Sequence, residues 1–124
     1  MSLSISVSQT NCPLFDRDQF LVRCMGNQAL SEKLIAAAVS NFPAEMLLLE
    51  QAIQSGNMAI TARLSHRMRG TAANICAVPM SQSAHGLEQA AVQNQPELVL
   101  EKWIEFQKQV EALMDQLASG AKPE

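Results

Sequence analysis

Apolar residues recur every three or four positions along most of this chain, the spacing of helices that bury one face. Phe15, Phe20 and Leu21, with Asp16 and Asp18, predict a short first helix over about 16–25 that ends near Gly26. Asn27 is placed to cap a second helix, whose apolar stripe is Leu30, Leu34, Ile35, Ala38, Phe42, Leu49 and Ile53. Pro43 interrupts that stripe, and a proline inside a helix costs about 3 kcal/mol. The stripe nevertheless resumes at Met46, so the pattern predicts a kink near Asn41–Phe42 rather than a break. Ser55-Gly56-Asn57 supplies a helix stop followed at once by a new N-cap. A third helix then runs from about Met58 to Ile75. After Cys76-Ala77-Val78, Pro79 is a good first residue for a fourth helix, which continues through Leu87 and Ala91 to about Gln93. Asn94-Gln95-Pro96 repeats the cap-then-proline signal. The last helix, about 96–118, sets Leu100, Trp103, Ile104, Phe106, Val110, Leu113 and Leu117 around one broad face and stops at Gly120.

Four substantial helices with short links have antiparallel neighbours. The expected fold is therefore all-α: an antiparallel up-down four-helix bundle over residues 14–118, with a short extra N-terminal helix laid against it. Residues 1–13 are rich in Ser, Thr and Asn and read as a flexible lead-in or linker, and residues 119–124 as a flexible tail. Composition supports the helical class. Hydrophobic residues make up 48% of 124, but aromatics only 4%, Tyr is absent, and β-branched residues are scattered rather than gathered into strands. A formal net charge of −3 argues against nucleic acid as a partner. Cys12, Cys24 and Cys76 are odd in number and widely spaced, which suits apolar filling in a reducing compartment better than a disulfide framework. No apolar run approaches the roughly 20 residues of a membrane span, and the N-terminus shows no charged-then-apolar leader pattern. The expected setting is cytoplasmic, without membrane contact by this domain.

On the third helix, about 100° per residue puts Ile60, Leu64, Met68, Thr71 and Ile75 on the inward face and His66 on the opposite one. Ala62, Gly70 and Ala73 surround His66 and leave its ring unshielded, while Arg63, Arg67 and Arg69 stand on its flanks. Glycine in mid-helix costs roughly 1 kcal/mol against alanine. A close helix crossing could require Gly70, but it projects to the His66 side, where a flat approach surface for another protein explains it better. At neutral pH much of an ordinary imidazole is the uncharged nucleophile. The chain carries no Ser-His-Asp or Cys-His order, no Gly-rich phosphate loop and no HExxH, so it lacks the parts of an independent enzyme. As a group acceptor served by a partner's catalytic site it lacks little.

The run His66-Arg67-Met68-Arg69-Gly70-Thr71-Ala72-Ala73-Asn74 resembles the motif H-x-L-K-G-[ST]-[AS] of histidine-containing phosphotransfer (HPt) domains. The resemblance extends over about residues 14–118. It implies a phosphorelay intermediate in which His66 takes a phosphoryl group through Nε2 from a receiver-domain aspartyl phosphate and passes it to another receiver. Arg69 falls where the family usually has lysine and would favour the added charge, although an arginine fork does not reproduce the shape of a lysine. Gly70 matches the glycine that permits close docking. Glu88 falls where members often carry a Gln or Glu that holds Nδ1–H. The resemblance also places Mg²⁺ and the catalytic aspartates on the receiver, so no cofactor is expected on this chain. The partners it implies are response-regulator receivers docking over Ala62, Arg63, Arg67 and Ala73; the chain is either a free-standing protein or the last domain of a parent hybrid sensor kinase, which would itself be anchored in the inner membrane. The domain is expected to be a monomer.

Two other functions compete. A catalytically inert helical docking module would keep the same fold. An autonomous metal enzyme would need His66, His85 and Glu88 to converge, whereas His85 reads more simply as a surface histidine on the fourth helix, and no metal site is expected.

Overall fold

The computed structural model describes residues 13–119, which form five helices: α1 (Arg17–Arg23), α2 (Gln28–Gln54), α3 (Met58–Asn74), α4 (Val78–Val92) and α5 (Pro96–Ser119). The expectations for residues 1–12 and 120–124 lie outside the described residues. Among the described residues there is no strand. The most extensive packing is of α3 on α4, followed by α4 on α5 and α2 on α3, while α2 meets α5 over a shorter stretch. The order is that of an antiparallel up-down bundle, with α1 as the added N-terminal piece.

Turn chemistry explains how closely the helices follow one another. After α2, Ser55 ends the helix, Gly56 takes φ +72°, and the Asn57 N–H returns to the Ala52 carbonyl at 2.9 Å. Asn57 then caps α3 by accepting from the Ile60 N–H at 3.1 Å. The same closure recurs after α3, where Cys76 has φ +63° and the Ala77 N–H reaches the Ala72 carbonyl at 2.8 Å. It recurs again after α4, with Asn94 at φ +56° and the Gln95 N–H bonded to the Ala90 carbonyl at 3.0 Å. In each case one left-handed residue satisfies the last carbonyls and reverses the chain. Glycine and asparagine announce this conformation in a sequence, but Cys76 does not. The α3–α4 turn was therefore the least legible: α4 begins at Val78, with Pro79 one position inside it and no side-chain cap from Ala77.

Helix α2 runs unbroken past Pro43, whose ring faces outward while Phe42 is fully buried. Helix α1 is tied to the bundle by polar contacts as well as by Phe15 and Phe20. The Asp16 N–H donates to the Cys76 carbonyl at 3.0 Å, and Arg23 Nη1 donates to the Ala73 and Asn74 carbonyls at 3.0 and 3.3 Å, capping the end of α3.

Phe42, Leu49, Met68, Met80, Leu87, Val99, Phe106 and Leu113 form the centre of the core. Three faces differ from the sequence expectation. On α3 the buried stripe is Thr61, Leu64, Ser65, Met68 and Ala72, so the helix is rolled by about 50° toward α4 relative to the apolar stripe. Ile60 and Thr71 are only half-buried. Two hydroxyl residues can occupy the tightest interface because each satisfies itself: Thr61 Oγ1 donates to the Asn57 carbonyl at 2.8 Å, and Ser65 Oγ to the Thr61 carbonyl at 2.7 Å. On α5, Leu100 and Ile104 face outward, and Val99 takes the inward place. On α2, Leu30 and Leu34 are exposed, since α5 covers only part of that face. Cys24 and Cys76 are buried and unpaired. No helix among the described residues is long and apolar enough to cross a membrane.

Candidate functional site

The roll of α3 toward α4 decides what surrounds His66. Its ring stands on the outer side of α3 with 62% of the side chain exposed. Two side chains reach it, Glu88 from α4 and Arg69 from α3 itself, and His85 of α4 joins them. Glu88 Oε2 lies 3.0 Å from His66 Nδ1, and Arg69 Nη2 lies 3.1 Å from the same nitrogen. Arg69 also places Nε 3.5 Å from Glu88 Oε1 and Nη1 3.3 Å from His85 Nδ1. His85 Nδ1 is in turn 4.0 Å from Glu88 Oε1. Of the four side chains Glu88 is the most enclosed, at 15% exposure.

Nδ1 can serve only one of its two neighbours. A carboxylate only accepts and a guanidinium only donates, so Nδ1 either carries a proton toward Glu88 or offers a lone pair to Arg69. The second choice would leave an enclosed carboxylate oxygen facing an imidazole lone pair. The first satisfies Glu88 Oε2, and Arg69 keeps its ion pair with Glu88 Oε1 and its contact with His85 Nδ1. The arrangement thus favours Nδ1–H donated to Glu88, with the Nε2 lone pair directed to solvent. Such a ring is a nucleophile of fixed orientation.

The ground around it is open. A Cβ built on Gly70 meets nothing within 4 Å, so the bundle itself makes no demand for glycine there. Gly70, Ala73 and Ser81 line a shallow depression beside His66 and Arg69. Ser81 Oγ donates to the Arg69 carbonyl at 3.3 Å across the α3–α4 interface.

The three arginines do not act as one cluster. Arg63 and Arg67 are exposed on the α2 side of His66, and Arg63 borders a groove between α2 and α3 with Leu48, Gln51 and Ile60. Arg67 faces Glu45 of α2, whose carboxyl is pushed above its ordinary value of 4.5 by burial, with the Arg67 charge acting in the opposite direction. Arg69 stands apart on the α4 side. Its guanidinium contacts the ring at Nδ1. Ala62 is half-buried and Ala73 exposed beside His66. His85, read from the sequence as an unrelated surface residue, joins the group through Arg69. Its spacing of one turn from Glu88 was the available signal. Among the described residues no three His, Cys, Asp or Glu side chains are disposed to hold a metal ion.

Comparison with curated proteins and with solved structures returns no match. The model of one family does fit: the Hpt domain, over residues 33–120, from the first part of α2 to the end of α5. With more than half of its length matched and an all-helical bundle to carry the match, this chain belongs to the Hpt domain family.

Proposed function

We propose that His66 is the phosphoacceptor of a phosphorelay. Membership in the Hpt family gives the chain a histidine phosphotransfer role in two-component signalling, as a phosphocarrier module rather than a self-sufficient enzyme. The observation that supports His66 is the pairing of its Nδ1 with Glu88 Oε2 at 3.0 Å beneath an exposed ring. In the proposed reaction the Nε2 lone pair attacks the phosphorus of a receiver's aspartyl phosphate. The new N–P bond forms as the acyl-phosphate P–O bond breaks, and the aspartate leaves as carboxylate. Transfer onward reverses the roles at a second receiver. Positioning and charge neutralisation carry such reactions. In this reading Mg²⁺ and the acidic catalytic groups belong to the receiver, and this chain contributes no cofactor.

Receivers dock over Ala62, Gly70 and Ala73, where small residues clear the approach, with Arg63 and Arg67 meeting the acidic rim of the receiver pocket. The domain works as a cytoplasmic monomer, in the service of a parent sensor kinase. Incubation with a phosphorylated receiver and Mg²⁺ tests the assignment. Wild type is expected to acquire acid-labile, alkali-stable label, and His66→Gln none. Label persisting on His66→Gln would remove the site, and a wild type that binds receivers yet never takes label would make the chain an inert docking module.

A further inference from the structure

Arg69 is the one member of the site whose place is unexplained by contact with His66 alone. Its guanidinium lies on the Nδ1 side of the ring, and the contact that draws it there from outside the His66–Glu88 pair is His85 Nδ1 at 3.3 Å. We propose that His85 is a positioning residue. Its Nδ1 lone pair accepts a hydrogen bond from Arg69 Nη1 and so sets where the guanidinium lies relative to His66 and Glu88. The inference rests on His66 as the phosphoacceptor for its consequence, but not for its geometry.

What each group can donate fixes the proton positions. Arg69 has only N–H donors, so neutral His85 must present Nδ1 as an acceptor and carry its proton on Nε2. Protonation abolishes that acceptor. The imidazolium then repels Arg69, while its new Nδ1–H faces Glu88 Oε1, 4.0 Å away and buried without a hydrogen-bond partner. Glu88 would then hold both imidazoles, one on each oxygen, and Arg69 would lose its His85 contact and share Glu88 Oε1, 3.5 Å from its Nε, with the His85 imidazolium. The site therefore has two arrangements of the same four side chains, selected by one proton on His85. The charged and titratable groups in reach of His85 are His66 and Arg69 from α3 and Glu88 on its own helix. From α5, Lys102 lies over Gly86 on the adjoining face.

Two measurements test this on the intact protein. The first needs no phosphate. Long-range ¹H–¹⁵N spectra of the imidazoles at pH 8 are expected to show His85 as the Nε2–H tautomer in wild type. That bias should shift in Arg69→Ala and stay in place in Lys108→Ala, a change on an exposed site of α5. The second loads His66 with phosphoramidate between pH 5.5 and 8.5 and follows both loading and decay of the phosphohistidine. His85→Ala is expected to change these rates about two- to fivefold, the scale of a partly exposed polar pair. His85→Gln, which keeps an acceptor but cannot gain a proton, should restore the high-pH rate and flatten the pH profile. At pH 8, added to Arg69→Ala, His85→Ala should change nothing further, because the neutral ring acts through that arginine. A His85 tautomer indifferent to Arg69→Ala, or a His85→Ala effect undiminished in the Arg69→Ala background, would overturn the proposal. Label surviving His66→Gln would instead overturn the phosphoacceptor assignment, and the spectra would still decide the role of His85.

Discussion

Replacing Gly70 by alanine should stabilise the fold and slow transfer from a receiver, two effects of opposite sign from one methyl group. Gly70 lies inside α3 with ordinary helical backbone, and a Cβ there meets no atom within 4 Å. Nothing in the bundle is displaced, so the helix gains the glycine-to-alanine difference of about 1 kcal/mol. For a domain of this size that is a rise of roughly 3–4 °C in Tm. The same methyl stands one turn from His66 on the approach face, about 40° around the helix from the imidazole. A receiver seated on that face would be held off, and misplacing reacting groups by about 1 Å costs on the order of a hundredfold. The expected loss in receiver-to-His66 transfer is therefore ten- to a hundredfold. Calorimetry gives the first quantity and rapid-quench transfer from a phosphorylated receiver the second. Phosphoramidate, which needs no docking surface, should be slowed far less than the receiver. A fall in Tm would show that the bundle requires the glycine. A rise in Tm with undiminished transfer would show that no partner uses the cleared ground.

Other expectations follow from single contacts. Glu88→Ala should slow loading of His66 about three- to tenfold through loss of one hydrogen bond that fixes the tautomer, and Glu88→Gln should recover most of it, as read with phosphoramidate. Phe42→Ala, at a fully buried position between α2 and the core, should cost about 3–5 kcal/mol in urea unfolding. Glu45→Gln should raise the urea midpoint at pH 7. The folded-state pKa of Glu45 lies above its ordinary value, so its contribution to stability is present below about pH 4.5 and lost as pH rises. The advantage of the glutamine should accordingly shrink by pH 4. Arg67→Glu should lower the association rate with receivers and reduce its salt dependence, measured by stopped flow at two ionic strengths.

Helix number and limits were legible because caps and prolines punctuate this chain: Asn27, Gly56-Asn57 and Pro96 mark boundaries the structure reproduces within a residue or two. The faces were less legible. Following the apolar run from Ile60 through Leu64 and Met68 left Thr61 and Ser65 off the inward stripe of α3, where they can be buried because carbonyls of their own helix satisfy their hydroxyls. That omission had consequences for the site. Without that roll, Arg69 reads as a free cation beside His66, and His85 as a residue of another surface. Leu100 and Ile104 misled in the opposite sense, since apolar spacing alone does not say how far a neighbouring helix reaches. His66 and Gly70 were readable from one helix, because exposure and open ground are local properties. The convergence of Arg69, His85 and Glu88 depends on how two helices meet, which no single-helix pattern contains.

The turn from α3 to α4 sets that meeting. His66 lies eight residues before the end of α3 and Glu88 ten residues after the start of α4, so both stand about 12–15 Å from the reversal and come level with one another. The reversal is closed by the Ala77 N–H on the Ala72 carbonyl and pinned from outside by Asp16 and Arg23 of the N-terminal helix. One residue added there would turn α4 by about 100° and slide it by about 1.5 Å. Met80, Ala84 and Leu87, the buried face of α4, would turn out of the core with it, and Glu88 would face away from the imidazole. The link behaves as a phase lock between two shafts, braced from outside by the contacts of Asp16 and Arg23.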